Sequence, residues 1–145
     1  YLSTAGTLVN QNNKNFTSYL TKNFNIIEVI KSNNVSSIDL IKMDVEGAEI
    51  ENLKIIENFI NKNTKILVEV LQDNFELKEY VIYFAKKFKF KIFCIDERKP
   101  FLKSLRQINE KGDFMSGTHS RNLLLINEHL DIEKVLNDNK EYFCF

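Results

Sequence analysis

Cysteine is scarce in this chain and poorly placed for chemistry: Cys94 and Cys144 stand far apart, with no C-x-x-C pair and no histidine at ligand spacing. That excludes a disulfide framework and a sequence-evident zinc site. It fits a reducing compartment, so a cytoplasmic location is expected. An excess of charge is lacking as well. Twenty basic and twenty acidic residues give a formal net charge of +0. No global field draws the chain to nucleic acid or to an anionic membrane, and neither is expected as a partner. Long apolar runs are also missing, the uninterrupted ones being short stretches such as Leu123 to Ile126, far below the roughly 20 residues of a membrane span. Proline occurs once, at Pro100, where it breaks the chain.

What is there suffices for one ordinary domain spanning residues 1–145. A chain of 145 residues with 43% hydrophobic content is expected to bury roughly 68 to 70% of its unfolded surface. It starts at Tyr1 rather than methionine. Removal of an upstream segment is therefore expected, and targeting signals are not judged from it.

Residues 1–25 are rich in Asn, Ser and Thr, with Leu8, Val9, Phe16, Tyr19 and Leu20 as scattered anchors, and read mostly as loop. Ile26 to Lys31 is too short for periodicity to choose between a strand end and one or two helical turns. From there residues 26–145 read as an α/β core. Apolar strand candidates stand at Ile38 to Met43, Ile66 to Leu71, Phe90 to Ile95 and Leu123 to Ile126. Ile50, Leu53, Ile56, Phe59 and Ile60 mark a helix between the first two strands, closed by Asn61-Lys62-Asn63. Leu77, Tyr80, Val81, Phe84 and Phe88 mark a second, with Lys78, Glu79, Lys86 and Lys87 on its other face. Strand, helix, strand implies parallel pairing with a right-handed crossover. A further helix is predicted from about Phe101 to Glu110, and the tail from Asp131 begins in a helical pattern. The composition of the first strand predicts enclosure on both faces. Its second edge then needs a cover, for which residues 1–31, upstream sequence or a second copy of the chain are candidates.

The densest signal is Ile38-Asp39-Leu40-Ile41-Lys42-Met43-Asp44-Val45-Glu46-Gly47-Ala48-Glu49, a strand that ends in two carboxylates and a glycine where a helix begins. In open α/β sheets ligands sit outside the carboxyl ends of strands, so Asp44 and Glu46 are expected at a crevice. The plain alternative is capping. Carboxylates at a helix start gain about 0.3 to 1 kcal/mol from the macrodipole, and Glu46 with Glu49 resembles an acidic first turn.

Leu40 to Glu49, followed by Leu53-Lys54, resembles the hallmark stretch of the FkbM family of S-adenosylmethionine-dependent methyltransferases. The match is dense over Ile38 to Lys54 and looser to about Glu128. It departs at Ile55, where the family commonly has glycine. The resemblance implies a partial Rossmann-like class I methyltransferase fold holding strands four to seven, the last two an antiparallel pair. It also implies transfer of a methyl group from S-adenosylmethionine to a glycan or small-molecule hydroxyl. The family's glycine-rich turn that holds the cofactor has no counterpart here, so no cofactor-binding residue is assigned.

Methyl transfer from a sulfonium to an oxygen is an in-line displacement in which positioning supplies much of the acceleration. A carboxylate or histidine in reach of the acceptor can take its proton. Asp44 is the first candidate for this role. A divalent cation held by Asp44 and Glu46 ranks below it, two acids making a thin site. Glu69 interrupts an apolar strand near its carboxyl end. It reads either as a residue of the same crevice, where the family often shows a glutamate, or as a strand acid paired with a lysine. His119 reads as a base, a substrate contact or a loop residue. His129 reads as a surface residue, and Lys42 as a side chain that pairs with an acid or snorkels. Two rival functions stay open. In one, a metal-dependent nucleotide-sugar glycosyltransferase uses Asp44-Val45-Glu46 as its acid pair. In the other, a truncated scaffold serves as a non-catalytic interaction module.

Overall fold

The computed structural model describes residues 25–45, 47–96, 104–110, 114 and 121–132. Its elements run α1 (Ile26–Ser32), β1 (Leu40–Met43), α2 (Glu49–Ile56) continuing into a 3-10 turn (Glu57–Phe59), β2 (Lys65–Glu69), α3 (Phe75–Phe88), β3 (Phe90–Asp96), β4 (Ser104–Ile108) and β5 (Asn122–Asn127). Five strands form one sheet in the order β1-β2-β5-β3-β4. β1 and β2 are parallel, β5 lies antiparallel to both β2 and β3, and β4 closes a hairpin with β3. The α/β reading and the parallel first pair agree with the alternation in the sequence. No helix among the described residues is long and apolar enough to cross a membrane.

Caps explain where the helices start and stop. The ambiguous stretch after Asn25 is helical because Asn25 Oδ1 accepts the Ile27 amide at 2.9 Å, satisfying one of the orphan donors of a first turn. α3 starts the same way, with Asn74 Oδ1 accepting from Leu77 at 3.1 Å. It ends where Lys89 turns left-handed at φ 57°. Along α3, Leu77, Val81, Phe84 and Ala85 are buried. Phe84 stacks among Phe88 and Phe90, with ring centroids at 4.8 and 6.2 Å.

The register places the core on one face of the sheet. Ile41 and Met43 lie beside Ile66 and Val68, and these lie beside Leu125 and Leu123, next to Ile92 and Cys94. Leu53 and Ile56 of α2 and Leu77, Val81 and Phe84 of α3 join the same cluster. At about 25 cal/mol per Å² of apolar area removed from water, this layer is the main source of stability.

Three expectations need correction. β1 is not enclosed on both faces: burial alternates along it, Met43 being buried while Leu40 is 67% exposed. The strand composition signalled β structure but not how many faces are covered. Residues 104–108 form β4, not part of a helix. The apolar spacing after Pro100 suits a helix, yet the backbone there finds ladder partners on β3, with Ile108 buried beside Ile92. Tertiary pairing overrides local period in such cases. Lys78 does not lie on the solvent face of α3. It is 8% exposed, its ammonium donates to the Gln72 carbonyl, and it sits over the rings of Phe75 and Phe114. The readings of residues 1–24, of the tail beyond Ile132, and of Glu46 and His119 fall outside the described residues.

Candidate functional site

The site grows from the carboxyl ends of two adjacent parallel strands. Met43 of β1 is registered with Val68 of β2, so the next step along both chains sets Asp44 beside Glu69. Because side chains alternate along a strand, Lys42 and Asp44 share the face opposite the helices, as do Leu67 and Glu69. Lys42 Nζ donates to Asp44 Oδ2 at 2.9 Å. On the other flank, Arg121 Nη1 approaches Glu69 Oε1 at 4.0 Å. The Arg121 carbonyl accepts the Val70 amide at 2.7 Å, and Asn122 lies opposite Glu69 in register. A row of four charges results, Lys42, Asp44, Glu69, Arg121, with the two acids flanked by the two cations.

The row sets the protonation of Asp44. A hydrogen bond from the Lys42 ammonium, and then the charge of that ammonium, hold the Asp44 carboxyl below the usual aspartate range. Partial burial opposes them. Asp44 is thus ionised at neutral pH, and with 44% of its side chain exposed it is open to a ligand. Glu69 is more enclosed, at 25%.

The helix does not begin directly at the acids. Gly47 turns at φ 103°, a backbone conformation that suits glycine; a Cβ there would meet nothing within 4 Å, so conformation and not crowding is what requires it. Ala48 is the N-cap of α2 and supplies no side-chain cap. Glu49, the first helical residue, is buried and turns its carboxylate back onto the preceding loop. There it accepts from Val45 N at 3.3 Å and from Gly47 N at 3.0 and 3.2 Å.

Of the four candidate residues, the structure brings Asp44 and Glu69 together, while Glu46 and His119 lie outside the described residues. Lys42 pairs with an acid, one of its two expected fates. Glu69 faces an arginine, not a lysine. Arg121 and the loop-binding role of Glu49 escaped the sequence reading. Same-face spacing carried a signal for Lys42, and position directly before β5 carried one for Arg121. Among the described residues no three His, Cys, Asp or Glu side chains converge as a metal site. Nor does a glycine-rich turn follow a strand among them.

A family model described as the methyltransferase FkbM domain matches residues 9–137. Comparison with curated proteins and with solved structures gave no match.

Proposed function

The chain belongs to the FkbM methyltransferase family, and from that premise we propose that it serves S-adenosylmethionine-dependent methylation of a hydroxyl on a glycan or small molecule, in the cytoplasm. The carboxyl ends of β1 and β2 form the acceptor side. The observation that carries this reading is the adjacency of Asp44 and Glu69, with Asp44 kept ionised and exposed. In this reading β1, β2, β3 and β5 correspond to strands four, five, six and seven of the class I fold. The insertion of antiparallel β5 between β2 and β3 supports that correspondence. β4 is then an added edge.

S-adenosylmethionine, when bound, supplies a methyl group already activated on sulfur. The chain's residues orient the acceptor and receive its proton. Asp44 accepts a hydrogen bond from the hydroxyl and takes its proton as the new bond to oxygen forms. Glu69 stands beside Asp44 at the end of the neighbouring strand. Lys42 and Arg121 keep the two acids from repelling one another. Glu46 and His119 complete the proposed set, the first near the acids in sequence and the second just before Arg121.

The test is Asp44→Asn, assayed by formation of S-adenosylhomocysteine against a panel of sugar and natural-product alcohols. Turnover should fall by about 10² to 10⁴, the usual range for a lost general base. Undiminished turnover would reject Asp44 as the base.

A further inference from the structure

We propose that Glu49 is a positioning residue whose buried carboxylate holds the Val45 and Gly47 amides and thereby sets where Asp44 stands against Glu69; this rests on the reading of Asp44 as the acceptor-side carboxylate. Glu49 is 6% exposed. An acid so enclosed is stable only when its oxygens are hydrogen-bonded. Both oxygens are engaged by donors that precede the helix. Oε1 accepts from Val45 N and Gly47 N, and Oε2 accepts from Gly47 N. A cap would accept from the amides of the first turn of α2. Glu49 reaches in the opposite direction, so what it organises is the loop.

The covalent geometry carries this constraint to Asp44. The amide of Val45 and the carbonyl of Asp44 belong to one planar peptide unit, so holding the first orients the second and with it the backbone of Asp44. Gly47, at φ 103°, has no Cβ to limit its conformations, and the loop it opens would sample many of them unless tied. The amide contacts from Val45 and Gly47 to both of its oxygens make Glu49 a suitable tie.

The experiment uses the whole chain with Glu49→Ala and Glu49→Gln. Should the alanine variant fail to fold, the glutamine variant decides alone, since it keeps the size and one acceptor oxygen. NMR would follow amide exchange at Val45 and Gly47 and the titration of the Asp44 carboxyl, which faces Lys42 and Glu69 with Arg121 beyond. The expected result is exchange at Gly47 faster by roughly tenfold or more, with Ile66 and Val68 in β2 unchanged. The Asp44 midpoint should rise toward that of an ordinary aspartate as its contact with Lys42 loosens. Unchanged Gly47 exchange and an unchanged Asp44 midpoint in folded Glu49→Gln would overturn the proposal. Neither readout requires an acceptor. Full activity in Asp44→Asn would defeat the base assignment while these measurements still decided what Glu49 holds.

Discussion

Replacing Thr64 by valine tests how β1 is held in register with β2. Thr64 is fully buried, and its hydroxyl works in both directions: Oγ1 donates to the Ile38 carbonyl at 2.6 Å and accepts from the Asn61 amide at 2.9 Å. Valine fills the same volume but removes both bonds. The Ile38 carbonyl keeps one long contact, from Asn61 Nδ2 at 3.4 Å, while the Asn61 amide loses its acceptor. Two bonds at about 0.5 to 1.5 kcal/mol each, with one half-buried donor left stranded, give an expected loss of about 2 to 3 kcal/mol. Urea unfolding reads this directly. With a slope of roughly 1 to 3 kcal/mol per M, the midpoint should fall by about 0.7 to 3 M at unchanged slope. Thr64→Ser keeps the hydroxyl and removes one methyl group, so its cost should be near 1 kcal/mol. A valine variant within about 0.5 kcal/mol of the parent, or a serine variant as weak as valine, would refute the reasoning. The point bears on function because a one-residue slip of β1 would turn Lys42 and Asp44 to the other face.

Lys42→Met should raise the Asp44 titration midpoint, because it removes the two largest influences that lower it. The sign follows from linkage: a depressed carboxyl contributes stability above its unfolded value and loses it as pH falls through the folded one, so the substitution should shrink that acid-side contribution. An unmoved midpoint in an NMR titration would contradict the pairing. Since both groups are exposed, stability at neutral pH should change by no more than about 1 kcal/mol. Gly47→Ala should cost roughly 1 to 3 kcal/mol through backbone strain alone, since a Cβ there meets no atom. Thermal unfolding checks it, and an unchanged midpoint would mean that the turn tolerates L residues.

How much could be read in advance depended on where each interaction is encoded. β1, β2, β3 and β5 were legible because each is a short apolar run, and α3 because its apolar stripe runs on for several turns. β4 was not, because Leu105 and Ile108 fit a helical period and only the free edge of β3 decides against it. Lys78 was misread because helical spacing assigns a face but knows nothing of Phe75, Phe114 and the Gln72 carbonyl waiting there. In the site, Asp44 and Glu69 were each visible as acids at strand ends. Their adjacency is a matter of register between β1 and β2, which no local pattern specifies. Glu49 looked like any first-turn acid, and only its burial and the direction of its bonds set it apart.

A carboxyl group held below its ordinary range is a weak base, and Lys42 is what holds Asp44 there. In the proposed reaction this costs less than it first suggests. A hydroxyl becomes acidic only as the methyl group arrives, so what Asp44 must do beforehand is remain ionised and accept one well-aimed hydrogen bond. Lys42 secures the first condition and the Glu49 loop the second. The two substitutions should therefore rank opposite to what basicity alone predicts. Lys42→Met returns Asp44 toward ordinary aspartate strength and, at neutral pH, where the group is ionised either way, should leave kcat within a few fold. Glu49→Gln leaves the Asp44 carboxyl intact but frees the Asp44 backbone, and a displacement of about 1 Å can cost about 100-fold in rate. Measured on any alcohol that the parent chain methylates, a larger loss from Lys42→Met than from Glu49→Gln would show that charge, not placement, governs Asp44.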